Sequence, residues 1–376
     1  MFSYLFNSIL QSKAKIQKMK TYIKFLILIF FKSFVFVSLI LLSLIFVLNL
    51  LTELEFFKNI EVNTYYPMFV SLLNTPSLLF EMFPFVFLLT TQVFFVNLLN
   101  NNQIQIFKYS GLKNSNIMFI LSIVSFAFGI LLITFFYNLS SNLKNFYLEQ
   151  KIKYTLDGKY LAVITNNGLW IKDIVEKRVN IINASKIDQN LLFNVFITEF
   201  NENFEVERNI KSEKVDVQKK LWTIHNASIY EKNGNVLKKD KLNFSSNFDY
   251  KKIQSLFSNL SSLSLIELFE LRKNYKSLNY STTEVDVQIQ RIVSFPFYFT
   301  LMTILAAILM FNTKKLNNTT LKLAIGLFAS VIIYYMNNFF VIMGNTEKMP
   351  VLISIWMPLF VLLIINFIGL LRINEK

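Results

Sequence analysis

Six stretches of the chain are nearly unbroken runs of apolar residues: roughly 25–51, 77–99, 117–139, 292–311, 323–343 and 351–371. Each is long enough to cross a bilayer core as a helix, which takes about 20 residues. Between the third and fourth runs the pattern changes. "YLAVITNNGLWIKD" holds two alternating runs about a turn at Asn166-Asn167-Gly168, and "KLWTIHNASIYEKNGNVLKK" turns near Asn233-Gly234. Apolar–polar alternation about such turns predicts β-hairpins. "LFNVFITEF" is expected to put Phe193, Val195 and Ile197 on one face. Short strands at this spacing suggest a sandwich or jelly roll. After Ser262, Leu265, Leu268 and Phe269 fall at helical spacing, so a short helix leads back to the fourth run.

The pattern divides the chain into an N-terminal arm (1–24) and three spans (25–139) with a polar segment (100–116) between the second and third. A β domain (140–262), a linking helix (263–290), three more spans (291–371) and a tail (372–376) follow. The expected fold is therefore membrane α-helical, three spans plus three, with a β-jelly-roll or sandwich domain inserted between helices 3 and 4.

Composition agrees. The chain is 53% hydrophobic and 16% aromatic, with no Cys, and its mean hydropathy is +0.44. Such values belong to integral membrane proteins. The absence of Cys excludes a disulfide framework and thiolate metal sites. A net charge of +14 would point to nucleic acid in a soluble protein, but here its distribution reads as topology. Lys13, Lys15, Lys18, Lys20 and Lys24 precede the first run, Lys108 and Lys113 follow the second, and Lys314, Lys315 and Lys322 follow the fourth. The intervening loop after the first run carries Glu53, Glu55 and Glu61 against Lys58. The positive-inside tendency then places both termini in the cytoplasm and the β domain outside. The first run is too long for a cleaved signal peptide and reads as a signal anchor.

Chemistry is sparse. No phosphate-binding loop is visible, so ATP hydrolysis by this chain is not expected. A lone His225 makes no metal site, and Glu284 and Asp286 read as a solvated helix face. Lys32 lies inside the first run and can snorkel; Pro84 and Pro358 lie inside spans, where they kink helices. The basic residues near the outer membrane boundary (Lys151, Lys153 and Arg291, with Arg272, Lys273 and Lys276 on the linking helix) would suit an anionic lipid headgroup. In the polar strip "NNNQIQIFKYSG", Ile104 and Phe107 can share a helical face with Gly111 as its stop. Ile104-x-Ile106 equally suits an extended piece. A short helix here would fit a plug for a separate ATPase.

"TPSLLFEMFPFVFLLTTQVFFVNLLNNNQIQIFKYSGLKNSNI" resembles the LptF/LptG family of lipopolysaccharide export permeases. So do "TYIKFLILIFFKSFVFV", "NNGLWIKDIVEKRVNIINAS", "QRIVSFPFYFTLMTILAAILMF" and "MGNTEKMPVLISIWMPLF", in order over nearly the whole chain. The GlW hairpin and the W-x-P ending are more similar to the LptG branch. The resemblance implies a non-enzymatic permease subunit in the bacterial inner membrane. Its partners would be an LptF-like sister permease, an LptB-like cytoplasmic ATPase dimer and LptC-like and LptA-like periplasmic jelly-roll proteins. ATP would bind the partner ATPase, with no cofactor on this chain and no nucleic acid. Lipopolysaccharide would leave the outer leaflet of the inner membrane for a periplasmic bridge. It also implies coupling roles for Gln103, Ile104, Phe107, Lys108 and Gly111, and lipid-phosphate contacts for Lys151, Lys153 and Arg291. Gln103 departs from the acidic residue usual in the family. Alternatives from the residues are another mechanotransmitting ABC permease, of the MacB or FtsX kind, or a non-transport sensor or assembly protein with an outer β domain. A membrane enzyme is a third, weakened by the missing constellation.

Overall fold

The computed structural model describes residues 2–154, 169–175, 178–188, 190–250, 253, 259–277, 280–312 and 319–374. The hairpin turn expected at Asn166-Asn167-Gly168 lies outside them. The chain forms two compact units: residues 1–54, 75–139 and 286–376 make one, and residues 55–74 and 140–285 the other.

The first unit is helical. It draws on α1 (Phe2–Phe56), α2 (Tyr66–Glu81), α3 (Phe83–Asn100), α4 (Gln103–Tyr109) and α5 (Asn114–Leu131). A π-helical turn (Leu132–Tyr137) joins α5 to α6 (Asn138–Ile152), and α8 (Thr283–Asn312), α9 (Thr319–Asn345) and α10 (Val351–Asn374) complete it; α6 from residue 140 on, and α2 up to residue 74, belong to the second unit. Among the described residues six helical stretches are long and apolar enough to cross a membrane: Thr21–Phe56, Phe83–Asn100, Asn114–Lys151, Thr283–Phe311, Thr320–Asn345 and Val351–Leu371. Hydrophobic runs of that length leave helix as the solution that satisfies every backbone group in hydrocarbon. Pro84 does more than kink: it sits in the first turn of α3, and a break at Met82 separates α2 from α3, as expected where a ring removes a helix donor. The π turn has a local cause as well. The Thr134 hydroxyl donates to Ile130 O and lies equally close to Leu131 O, 3.1 Å each, inside the carbonyl ladder.

The spans differ in burial. The fourth is 67% buried and the second 61%, against 22–33% for the others, so these two form the centre of the unit. Lipid tails are as apolar as leucine, so close packing and buried polar contacts must hold such helices together. Phe87 stacks on Phe299 at 4.6 Å, and Phe34 meets Phe128 edge-on at 4.7 Å. Gly129 leaves the gap that Pro296 fills. Hydroxyls of Ser125 and Thr303 meet at 2.9 Å, and Asn366 Nδ2 donates to Leu301 O at 2.9 Å.

The second unit holds β1 (Leu169–Val175), β2 (Arg178–Ala184), β3 (Lys186–Asp188), β4 (Leu191–Phe200), β5 (Val206–Asp216), β6 (Leu221–Glu231) and β7 (Val236–Ser245), followed by α7 (Leu265–Ser277). All pairings are antiparallel, in the order β1-β2-β4-β5-β6-β7, with β3 beside β4. Gly234, at φ +79, closes the β6–β7 hairpin where the sequence places its turn. The core face carries Leu169, Ile182, Leu192, Val195, Ile197, Trp222 and Ile224, and the Trp222 indole donates to Phe248 O at 2.8 Å. Among the described residues the two outermost strands of the sheet, β1 and β7, are tied together. Asp173 of β1 accepts bonds from Ser246 Oγ (2.7 Å), Asn247 N (3.1 Å) and Asn247 Nδ2 (2.9 Å), just past β7. That closure is what a sandwich or jelly roll requires of a meander.

One expectation fails in detail. Phe193 is not on the core face; Leu192 takes that place, and Val195 and Ile197 follow. Asn194 has φ +49, and so does Asn226 on β6. The register sets Asn194 opposite Glu213 and Glu213 opposite Asn226, in a gap in both ladders. β4, β5 and β6 each spend one extra residue at this row, so their alternation changes phase in step. Ser212 serves the gap: its hydroxyl lies 2.5 Å from His225 O and accepts Lys214 N at 3.1 Å.

Candidate functional site

The polar strip between spans two and three folds as a short helix clamped at both ends. Span two ends in Asn101, whose backbone N–H returns to Asn97 O, and Asn102 takes φ +54 to turn the chain into α4. Asparagine tolerates that left-handed conformation better than other side chains. Gly111 at φ +81 closes the far end, and Leu112 N donates to Phe107 O at 2.9 Å. This is a Schellman closure, which satisfies an end carbonyl and needs a residue without a Cβ. Helix wins over the extended alternative because both ends carry these stops.

The face that α4 presents differs from the one its periodicity suggests. Ile104 is 8% exposed. Phe107 turns back onto Phe25 of the first span, with ring centroids 6.2 Å apart. The outward face carries Gln105, Ile106 (59% exposed) and Tyr109 (89% exposed). The sequence reading named the two anchoring residues and missed the two exposed ones. Their i, i+3 spacing was available as a signal, but it equals the spacing of Ile104 and Phe107, and only the contact with span one decides between the faces. Gln103 Oε1 is buried and lacks a hydrogen-bond partner among the described residues. Lys108 is helical in its backbone.

The basic residues of the sequence reading are placed differently from one another. Lys151, near the end of α6, is only 5% exposed. Its ammonium lies 4.2 Å from the Phe56 ring centroid and 5.3 Å from that of Tyr147, and donates to the Tyr147 hydroxyl at 3.0 Å. A cation on two ring faces is attracted by their quadrupoles and is sheltered from water. Lys153, by contrast, is exposed, and its ammonium donates to Gln150 Oε1 at 2.9 Å. Sequence neighbourhood had grouped the two lysines; the helix end separates them. On α8, Arg291 lies 5.9 Å over the Phe295 ring, and its buried Nε has no hydrogen-bond partner among the described residues. Arg272, Lys273 and Lys276 are exposed on α7. Nearby Tyr66, Phe57 and Tyr154 pack ring edge to ring face at 5.2–5.6 Å. Burial and the neighbouring Tyr154 push the Tyr66 phenol up to about 12.

No group of three His, Asp or Glu side chains is arranged to hold a metal among the described residues. What stands out is an exposed aromatic-aliphatic pair on a clamped helix, and cations near the ends of spans. Residues 24–372 match the family described as lipopolysaccharide export system permease LptF/LptG, the two branches together. No curated protein matches the chain.

Proposed function

Because the chain belongs to the LptF/LptG family of lipopolysaccharide export permeases, we propose that it is the permease subunit of an ATP-driven exporter, with α4 as the docking point for the ATPase. The observation that carries this reading is the exposure of Ile106 and Tyr109 on a helix fixed at both ends. A plug must be stiff to transmit force, and it must offer apolar area to bind; aromatic anchors dominate such contacts. Ile104, Phe107 and Gly111 fix the helix to its own spans, and Gln103 and Lys108 border the contact. On this reading α4 is cytoplasmic, both termini are cytoplasmic, and the β domain is periplasmic.

The partners follow from the task. Moving a lipid with several acyl chains out of hydrocarbon costs about 0.8 kcal/mol per CH₂ exposed, so an external energy source is needed. An LptB-like ATPase dimer binds and hydrolyses ATP, and this chain binds no cofactor. An LptF-like sister permease completes the membrane pair, with this chain in the LptG position on the strength of its GlW and W-x-P motifs. LptC-like and LptA-like jelly-roll proteins accept the lipid. Lys153 and Arg291 contact its phosphates through charge-assisted bonds; Lys151 supports the helix end from its aromatic pocket.

The test is reconstitution of the chain with its sister permease and ATPase in vesicles carrying lipopolysaccharide. ATP-dependent release of the lipid to a soluble jelly-roll acceptor supports the proposal. Hydrolysis of ATP without release, in a complex proven intact, contradicts it.

A further inference from the structure

Deep in the first unit, Gln92 of α3 is completely buried in a helix that crosses the membrane. Its Nε2 donates to Lys322 O, in the first turn of α9, at 3.0 Å. A carbonyl can only accept, so this bond fixes which end of the amide faces α9. The other end, Oε1, is buried and finds no hydrogen-bond partner among the described residues. An unpaired buried carbonyl costs free energy, and it is tolerated only where something else holds the group in place.

That something is Gly326, one turn further along α9. A Cβ at this position would stand 2.0 Å from Gln92 Nε2, 2.5 Å from its Cδ and 2.7 Å from its Oε1. The whole amide therefore lies in the notch that the missing side chain leaves. A flexible side chain could move aside for a methyl group elsewhere, but here it would give up the bond to Lys322 O.

The joint occupies a particular place in the chain. Span two runs into α4 through two residues, Asn101 and Asn102, with backbone bonds on each side: Asn101 N to Asn97 O, Asn102 N to Leu99 O and Ile106 N to Asn102 O. A displacement of α4 is thus handed to α3 without a slack linker. The span of α9 is the least buried of the six, at 22% of its most apolar window, and α3 and α10 are the helices it packs against most. We infer that Gln92 and Gly326 form a peg-and-notch joint through which movement of α4 reaches α9, making Gln92 a positioning residue for transport. This rests on the proposed role of α4.

The experiment uses the full complex of this chain, its sister permease and the ATPase, with native, Gln92→Leu, Gln92→Asn and Gly326→Ala forms. Leucine keeps the volume without the donor; asparagine keeps the amide one methylene short of Lys322 O, and it carries the test where leucine lowers the yield. Capture of the ATPase by the native chain is read first. Next come ATP hydrolysis and lipid released per ATP. The chain has no Cys, so nitroxides on Phe119→Cys of α5 and Phe328→Cys of α9, both exposed, report the α9 movement on nucleotide binding. The variants are expected to capture the ATPase and hydrolyse ATP as the native complex does. They should release about tenfold less lipid per ATP, the order of a residue-level coupling energy, and lose the nucleotide-dependent distance change. Native-like lipid per ATP and native-like distances in a folded Gln92 variant would overturn the joint while leaving the proposed function standing. Failure of the native chain to capture the ATPase would overturn both.

Discussion

Asp173 and Ser246 meet at 2.7 Å, joining the first strand of the β domain to the residue just beyond the last. Asp173 is completely buried, and its three donors come from two successive residues. Asn247 Nδ2 also bonds Ile174 O at 2.7 Å, so the same side chain covers the edge of β1. The bond therefore ties together the two outermost described strands of the sheet, β1 and β7.

Asp173→Ala should loosen that closure. It removes charge-assisted bonds and leaves buried donors unpaired, which together cost about 1.5–3 kcal/mol. Denaturant unfolding of the purified chain, followed by the fluorescence of Trp222 in the core, should show the loss. A midpoint equal to that of the native protein would mean that the closure contributes nothing.

In the membrane unit, Gly129→Val tests the contact of spans three and four. A Cβ at Gly129 would lie 2.9 Å from the Pro296 Cα, which is backbone and cannot swing away. Overpacking of this kind costs about 1–3 kcal/mol. The expected result is a lower melting temperature in detergent, with Gly129→Ala between valine and native. Unchanged melting for valine would show that the two spans have room to separate.

Alkaline pH should act on the linking helix. Burial, with the nearby Glu284 and Tyr280, pushes the Tyr275 phenol from 10 to about 12. A folded-state value above the unfolded one stabilises the fold fully below pH 10 and progressively less up to about 12, because the unfolded chain loses its proton first. Stability should fall across that window, and Tyr275→Phe should flatten the fall. An identical pH profile for the two proteins would exclude Tyr275 as the cause.

Lys151 and Lys153 should separate on mutation. Lys153→Glu is expected to leave melting unchanged and to reduce photo-crosslinking of lipopolysaccharide. Lys151→Glu places an anion against two ring faces and removes a cation–π contact of about 2 kcal/mol, so it should lower the melting temperature. Equal effects on lipid crosslinking at unchanged stability would restore the pairing that the sequence suggests.

Much of this architecture was legible in the sequence. Hydropathy alone finds the six spans, because backbone in hydrocarbon has so few options; the sixth, 351–371, is matched residue for residue. Alternation and turn residues find β6 and β7, whose Gly234 does the work of the turn. The rest depends on contacts between distant residues. Period-two reasoning puts Phe193 on one face with Val195 and Ile197 and misses the row of Asn194, Glu213 and Asn226, where the alternation of β4, β5 and β6 changes phase. The strip before Gly111 suits a helix or an extended piece equally in the sequence, and the outward face of α4 is not legible there, because Phe25, some eighty positions away, decides it. Lys151 likewise reads as a free cation until Phe56 and Tyr147 are beside it. The docking of Gln92 on Gly326 is invisible to any local pattern.

The most direct measurement is capture of the ATPase. The native chain, tagged and extracted in mild detergent, is compared with a chain carrying Ile106→Asp and Tyr109→Ala, and with one carrying Phe107→Leu as a control that keeps the anchor apolar. The native and control chains should bring down an ATPase and a second six-span permease; the double variant should keep the permease and lose the ATPase. An intact native chain that brings down no ATPase, or a double variant that retains it in full, would contradict the account of α4 as the docking helix.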